Sequence, residues 1–216
     1  MSEFELLDSP TAPLAAGKRE LTKQQNRRAI LDAAREVFGE MGYETATVRD
    51  IIRRTGLSVG SFYNYYRSKE EVYEALADDG ARRFRPILQA QYEAAADFQS
   101  YIRGAITAYF NFILEEHETW GVVRPPGDGV PHVHTHSQTP EMKAVFEQVK
   151  SSISAALERD RSAPVDADYL AAACIAIAEE VGHKMLERRP VDVPAAIEFA
   201  VAMILGGLPA LPRLKA

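Results

Sequence analysis

Apolar residues recur at steps of three and four along most of the 216-residue chain, which is the spacing of one face of an α-helix. No stretch alternates apolar and polar residues over a β-branched run, as a half-buried strand would. The pattern therefore predicts an all-α protein with about nine helices. Proline and glycine interrupt it most densely over residues 121–140, which we expect to form a loop.

The first strong helix signal begins at Thr22. Thr22 and Gln25 have the spacing of a capping box, which satisfies free backbone amides at a helix N-terminus. Apolar residues follow at helical spacing as far as Met41, and Gly42 favours an ending there. Upstream, residues 1–20 contain prolines and a glycine and are predicted to form a flexible tail.

Two short helices are predicted next. The first begins at Thr47 and ends at Gly56, and the second begins at Ser58 and ends near Tyr65. Each is too short to be stable alone, so both are expected to pack against the longer first helix. Two short helices joined by a tight turn in this setting are typical of a helix-turn-helix motif that binds DNA.

Longer helices occupy the rest of the chain. A fourth helix, capped by Ser68, is expected to kink or break at Pro86. The later helices are expected over about residues 97–119, 141–160, 166–189 and 193–208, with breaks at the intervening prolines.

The charge distribution agrees with DNA binding at one end only. The net charge is −6, yet residues 18–69 carry eleven basic and six acidic groups, whereas residues 70–216 carry 14 basic and 22 acidic groups. A basic segment on an acidic body is expected when only one end of a protein meets phosphate. We therefore divide the chain into a helix-turn-helix domain at residues 21–68 and a larger helical domain at residues 69–216.

Nothing in the composition points to a membrane or a secreted protein. No apolar run approaches the roughly 18 residues of a membrane span, and the acidic N-terminus lacks the order of a secretory signal. The single cysteine, Cys174, has no partner for an internal disulfide, which is common in the reducing cytoplasm. We expect a cytoplasmic protein with no membrane partner.

Residues 39–73 read GEMGYETATVRDIIRRTGLSVGSFYNYYRSKEEVY. This segment resembles the DNA-binding domain of the tetracycline-repressor (TetR) family. The resemblance implies a ligand-responsive transcriptional regulator: a repressor released from a palindromic operator when a small molecule or metal ion binds the C-terminal domain. The positions that carry it are Gly42-Tyr43, residues 47–51, Gly56-Leu57-Ser58, Gly60, Phe62-Tyr63, Tyr65-Tyr66 and Lys69-Glu70.

The resemblance also assigns residues to the double-stranded DNA. It makes the third helix the recognition helix in the major groove. Arg49 is expected to make a bidentate contact to guanine, with an ion pair to Asp50 or a phosphate contact as the alternative. The residues expected at base or sugar edges are Ser58, Val59, Ser61 and Tyr65, with Gly60 allowing close approach. Those expected at phosphates are Arg28, Thr47, Tyr63 and Lys69. Phe62 and Tyr66 are expected in the core, and Lys18, Arg19 and Lys23 either reach DNA or are solvated.

The last two predicted helices are apolar on nearly all sides, over residues 169–178 and 197–205. A helix with no polar face must be buried all round, and a second subunit is the expected cover. The resemblance agrees, because this family forms homodimers through a four-helix bundle of its terminal helices. A dimer also presents two recognition helices to a two-fold operator.

A few polar residues interrupt the apolar helices of the C-terminal domain. His117 continues an apolar stripe and is expected to point inward, and Glu180 and His183 share one helix face. With His134 from the loop they form a predicted ligand set for a divalent metal ion. The alternatives are a polar organic ligand at the same residues, or a structural role in which Glu180 and His183 bond each other or cross the dimer.

A ligand pocket is expected beside these groups. Its predicted lining residues are Tyr109, Phe110, His117, Trp120, Glu180 and His183. The alternative function is a helical metal-binding enzyme of the carboxylate-bridged type, which needs two Glu-x-x-His motifs in one bundle. Only Glu180 and His183 have that spacing, so we expect no enzyme and no catalytic residues.

Overall fold

The computed structural model of this protein describes residues 12–120, 139–160 and 165–213. Within those ranges it contains eight α-helices, one short 3₁₀ helix and no β-strand, which confirms the prediction of an all-α fold. The helices are α1 (Ala12–Met41), α2 (Val48–Thr55), α3 (Val59–Tyr63), α4 (Lys69–Ala94), α5 (Phe98–Trp120), α6 (Pro140–Arg159), α7 (Ala167–Glu187) and α8 (Val193–Gly207), with the 3₁₀ helix at Leu208–Ala210.

The first three helices and the start of α4 form a head with its own apolar core. α1 packs against α2 and α4. Gly42 and Gly56 end α1 and α2 with φ angles of +77° and +68°, in the left-handed region that favours glycine. The most deeply buried members of the head core are Ile30, Ala34, Val37, Ile51, Phe62 and Val72.

Helices α4–α8 enclose a second, larger core. α5 lies at its centre and contacts each of the other four helices of this body. α4 takes part in both cores, because Val72 belongs to the head whereas Phe84 and Leu88 belong to the body. α4 therefore connects the two parts of the chain.

The first helix is longer than the sequence predicted. α1 begins at Ala12, so Thr22 is not its N-terminal cap and the expected start was wrong. A capping pattern is only local, and helix-favouring residues before it continue the helix, with Pro13 tolerated in the first turn. Residues 12–20 of the expected tail are helical, and the rest of that tail lies outside the described residues.

Pro86 does not break α4, which continues from Lys69 to Ala94. Phe84 and Leu88 bury their side chains on either side of the proline, whose own side chain is exposed. Burial in the body core therefore holds the helix together across the residue that lacks an amide proton.

One described segment, Val193–Ala210, is long and apolar enough to cross a membrane, with a mean hydropathy of 1.7 over 18 residues. The expectation that no stretch of this kind exists was wrong, because the average tolerates Glu198 and two prolines within the segment. Only 17% of the segment is buried within the single chain. Length and composition alone do not distinguish a spanning helix from one covered by another subunit.

Candidate DNA-reading surface and ligand cavity

Side-chain caps define the start of both short helices in the head. The Thr47 hydroxyl accepts a hydrogen bond from the Asp50 amide, and the Asp50 carboxylate accepts one from the Thr47 amide at 3.0 Å. The hydrogen bonds from Thr47 hold the pKa of Asp50 below its ordinary value, so this cap remains charged at neutral pH. The Ser58 hydroxyl accepts from the Ser61 amide at 3.1 Å and starts α3. The predicted helix starts at Thr47 and Ser58 are confirmed.

The two faces of α3 have different surroundings. On one face Phe62 is fully buried, and Tyr66, which follows α3 in the chain, is 4% exposed; both values confirm their predicted place in the core. On the other face Val59 and Tyr63 are 57% and 52% exposed, and Gly60 between them is also exposed. Val59, Gly60 and Tyr63 thus form an exposed strip of α3. Such a strip can approach base edges and thymine methyl groups.

Arg49 lies on the exposed side of α2. It makes no ion pair or hydrogen bond with any residue that the structure describes, whereas Asp50 lies 3.5 Å from Arg53. The alternative in which Arg49 pairs with Asp50 is therefore not observed. Its guanidinium group remains available to an outside partner.

Exposed cations continue from α3 onto the first half of α1. Asn26 donates a hydrogen bond to the Tyr65 hydroxyl at 3.1 Å and ties α1 to the residues that follow α3. Arg28 is 86% exposed, with its Nε 3.9 Å from a carboxylate oxygen of Asp32, and Arg19 and Lys23 are exposed further towards the N-terminus. Positive charge thus extends outward from the end of the predicted recognition helix.

Lys69 is engaged within the head. Its ammonium nitrogen lies 2.9 Å from the carbonyl oxygen of Tyr43 and 3.2 Å from those of Glu44 and Ala46. An ammonium group has three N–H donors, so these bonds use all of them. The hydroxyl proton of Thr47 is also used, in a bond to its capping partner. A phosphate contact by either group requires one of these bonds to be replaced.

A cavity of about 270 Å³ lies between the helices of the body. Its volume is close to the lower end of the roughly 300–1,000 Å³ range of small-molecule sites. The wall is mostly apolar and includes Ala77, Ala81 and Phe84 of α4, Ile106, Tyr109 and Phe112 of α5, Met142 and Phe146 of α6, Ala178 of α7 and Ile204 of α8.

Few polar groups reach this cavity, and two of them are deeply buried. The Tyr101 hydroxyl lies near Ser152 but makes no hydrogen bond of normal geometry with a described residue. Burial raises the pKa of Tyr101 to about 12 and that of the Cys174 thiol to about 12, so both groups are neutral at physiological pH. Glu179 is the one charged residue in the described lining. The cavity therefore suits a ligand that is largely apolar.

Comparison with known proteins decides the family. Residues 30–76 match the model of the bacterial regulatory proteins of the tetR family. The match runs from the middle of α1 to the start of α4 and so covers the complete head core. The chain belongs to the TetR family.

The similarity of this TetR-family chain to known proteins extends beyond the head. It is 29% identical over 205 residues to the HTH-type transcriptional activator FasR of Mycolicibacterium smegmatis, covering 90% of this chain and 88% of that protein. Its fold matches the fatty acid degradation regulator FadR of Bacillus halodurans, with a TM-score of 0.64 and 20% identity over 85% of this chain and 96% of that one. It also matches FadR of Bacillus subtilis in complex with stearoyl-CoA, with a TM-score of 0.66 and 16% identity over 83% and 98%. The protein is a DNA-binding transcriptional regulator, and the alternative of a carboxylate-bridged enzyme is set aside.

The cavity of this TetR-family regulator differs in part from the predicted one. Tyr109 lines it, whereas Phe110 is fully buried beside it, packed where α5 meets Gly182. Glu179 lines the cavity in place of Glu180, whose side chain is exposed. One residue along a helix turns the side chain by about 100°, so an offset of one position moves it to another face. His117 and His183 are not in the described lining, and the Trp120 side chain lies outside the described residues.

The predicted metal ligands are not brought together. The described part of the chain holds no group of three or more His, Cys, Asp or Glu side chains that could bind a metal ion. His183 lies 3.1 Å from Glu187, and the fourth predicted ligand, His134, is outside the described residues. Nδ1 of His117 is buried without a hydrogen bond to any described residue, in agreement with its expected inward position. The metal prediction is not confirmed.

α7 and α8 expose apolar side chains along one side of the TetR body. We call this the α7–α8 surface, and it comprises Tyr169, Ala173 and Ala176 of α7 and Phe199, Ala202 and Met203 of α8. Tyr169 is 78% exposed, and Phe199 and Met203 are each more than half exposed. Large apolar side chains grouped in this way mark an interaction surface. Glu180 follows on the same face of α7, away from the cavity.

Proposed function

We propose that this protein is a homodimeric repressor that binds a palindromic operator in the cytoplasm and loses operator affinity when an acyl-chain ligand enters the body cavity. The observation that carries the proposal is the position of α4. The same helix forms one wall of the cavity and part of the head core. A ligand that fits one position of α4 better than another therefore changes the position of the head.

The proposed DNA contact rests on the exposed strip of α3 and on Arg49. Val59 and Gly60 approach the bases, Tyr63 contacts phosphate, and Arg49 makes a bidentate contact to guanine. The exposure of all four residues and the lack of an ion-pair partner for Arg49 among the described residues support this assignment. Arg28 and the cations before it on α1 add phosphate contacts that do not depend on sequence.

The proposed dimer forms through the α7–α8 surface. In one chain this surface leaves Tyr169, Phe199 and Met203 open to water, at a cost that burial against a second copy removes. Two-fold symmetry applies the same surface of both subunits to each other, so a single apolar patch is sufficient. It also pairs two heads, as a palindromic operator requires.

The proposed ligand class follows from the lining of the cavity. An acyl chain is apolar along its length, as is most of the wall, and the buried Tyr101 hydroxyl can bond one polar atom of the ligand. The Bacillus subtilis neighbour was solved with stearoyl-CoA, which makes this compound a suitable probe.

The test measures operator binding by the full-length protein. A duplex is selected from a random-sequence library, and its affinity is measured by fluorescence anisotropy with stearoyl-CoA or with coenzyme A alone. We expect stearoyl-CoA to lower the affinity by a factor within the usual range of roughly 5–150 and coenzyme A to have no effect. Ala105→Phe, which fills the cavity from α5, is expected to abolish the effect of stearoyl-CoA while operator affinity is retained.

Two further variants test the head. Arg49→Ala is expected to lower affinity for the selected duplex by about 1–3 kcal/mol, with a much smaller change for an unrelated duplex. Lys143→Ala removes the same charge from an exposed position on α6 and serves as the matched control. Equal losses on both duplexes would reassign Arg49 to phosphate. Operator binding that ignores stearoyl-CoA would refute the ligand class and leave the DNA assignment intact.

A further inference from the structure

Arg83 of α4 forms a junction between α4 and α5. Its guanidinium group donates two hydrogen bonds to the carboxylate of Glu116 on α5, both at 2.7 Å. Its Nε donates a third to Oδ2 of Asp79 at 3.2 Å. These ion pairs raise the pKa of Arg83, chiefly through the hydrogen bonds to Glu116. A bidentate contact of this kind fixes both the distance between the two helices and their relative orientation.

Asp79 connects the junction to the head. The same oxygen that accepts from Arg83 also accepts a hydrogen bond at 2.5 Å from Arg35 of α1. The Arg35 side chain is only 9% exposed and bonds Asp32 at 2.8 Å as well. If Asp79 moves away, the buried guanidinium group of Arg35 loses one of its two carboxylate partners, and this cost couples the position of Arg35 to that of Asp79.

The junction also touches the wall of the cavity. The guanidinium carbon of Arg83 lies 5.5 Å from the centre of the Phe112 ring, within the range of a cation–π contact. Phe112 lines the cavity and packs against Phe84 of α4, with ring centres 5.3 Å apart. A ligand beside these rings therefore acts on the surface against which Arg83 is held.

We infer that Arg83 is a positioning residue that couples occupancy of the cavity to the head, along the sequence Phe112, Arg83, Asp79 and Arg35. The inference rests on the proposed function, because it concerns how the proposed ligand acts. A ligand that displaces Phe112 moves the guanidinium group and, through the shared oxygen of Asp79, the buried arginine of α1. These discrete contacts, which both sites can bias, act together with the continuity of α4.

The test removes the junction and leaves both binding sites in place. Arg83→Met keeps an unbranched side chain against Phe112 but removes the charge and every hydrogen bond. Glu116→Gln weakens the same link from α5. The matched control is Arg103→Met. Arg103 also forms a bidentate ion pair with a glutamate on another helix, Glu198, and its side-chain exposure of 44% is close to the 41% of Arg83.

The measured quantity is the coupling factor, defined as the ratio of operator dissociation constants with and without saturating stearoyl-CoA. For Arg83→Met and Glu116→Gln we expect this factor to fall to below about threefold, from a wild-type value in the usual range of roughly 5–150. Operator affinity without ligand and stearoyl-CoA affinity without DNA are expected to change by less than about threefold. Reciprocity provides a second readout, since operator DNA then no longer weakens stearoyl-CoA binding.

The outcomes separate this inference from the function on which it rests. If the wild type shows a coupling factor and both variants retain it, the inference is overturned and the function stands. If Arg103→Met loses coupling equally, the effect is general loosening of the body and the inference is again overturned. If the wild type shows no coupling to stearoyl-CoA, the proposed ligand class fails and the inference falls with it. Loss confined to Arg83→Met and Glu116→Gln supports it.

Discussion

The ammonium group of Lys69 lies 2.9 Å from the carbonyl oxygen of Tyr43 and 4.5 Å from the centre of the same residue's ring. A single cation at the start of α4 thus holds the turn between α1 and α2. We therefore expect Lys69 to stabilise the head and not to bind phosphate.

Lys69→Met is expected to lower the free energy of unfolding of the protein. The hydrogen bonds of a charged group contribute about 1.5–3 kcal/mol, and Lys69 donates three to carbonyl oxygens. Chemical denaturation measures the loss. The slope of operator affinity against salt concentration is expected to stay unchanged, because no phosphate contact is removed.

Arg28→Gln provides the opposite case. Arg28 is 86% exposed, so its loss should leave stability almost unchanged and reduce the salt slope by about 0.9 for each phosphate contact removed. If Lys69→Met reduced the salt slope in the same way, Lys69 would be a phosphate anchor after all.

Gly182→Ala is expected to destabilise the body. A β-carbon at this position would lie 2.6 Å from Cδ1 of Ile113 and 3.2 Å from Cε1 of the fully buried Phe110. Overpacking of this kind costs about 1–3 kcal/mol. Denaturant titration should show that adding Ile113→Val to the same chain recovers much of the loss, because it removes the closest atom.

Gly80→Ala is the matched control on α4, where a β-carbon meets no atom within 4 Å. At this position the substitution is expected to raise the free energy of unfolding by roughly 0.5–1 kcal/mol, because alanine loses less backbone entropy than glycine on folding. The two substitutions are therefore expected to have opposite signs, and equal effects would show that packing at Gly182 is not limiting.

Phe199→Arg is expected to convert the proposed dimer into a monomer. It places a charge in the middle of the apolar α7–α8 surface, where a partner subunit would have to bury it. Sedimentation velocity measures the change in mass. Ile87→Arg, at another exposed apolar position on α4, should leave the dimer intact. A wild-type protein that sediments as a monomer would exclude the proposed interface.

Cys174 is expected to be unreactive in the folded protein. Burial raises the pKa of its thiol to about 12 from an ordinary value of 9.0, so the thiolate is about a thousandfold rarer at pH 8 than in the unfolded chain. Alkylation by iodoacetamide, followed by mass spectrometry, should be correspondingly slow and should become fast in denaturant. Rapid labelling of the native protein would show that the cavity opens readily to solvent.

The same shift has a consequence for stability in alkaline solution. The unfolded thiol releases its proton at lower pH than the folded thiol. The neutral thiol of Cys174 therefore contributes its full share to the free energy of unfolding below pH 9, and this share is lost as pH rises towards about 12. Denaturant titrations between these values should show a decline that is shallower in Cys174→Ala. The remaining decline includes Tyr101, whose pKa burial also raises to about 12.

Local patterns in the sequence were sufficient to predict where the short helices of the head begin and end. The starts of α2 and α3 at Thr47 and Ser58 and the turn at Gly56 follow from side chains that cap their own neighbours. Interactions over three or four residues do not depend on distant parts of the chain, which is why these boundaries were predictable. The failure at Thr22 has the same origin, because a capping pattern cannot report the helix-favouring residues that precede it.

Tertiary packing decided which side chains reach the cavity. Periodicity identified α7 as apolar, but the choice between Glu179 and Glu180 depends on how that helix is rotated against α5, where Gly182 allows Ile113 and Phe110 to approach. The same holds for the bonds of Lys69 to Tyr43 and of Arg83 to Glu116, whose partners lie more than 20 residues apart in the chain. Composition and spacing determined the helices and the basic head, and the resemblance of residues 39–73 to a known family indicated the family. The cavity and the ion pairs from α1 to α5 required the three-dimensional arrangement, because contacts between distant residues leave no periodic signal in one sequence.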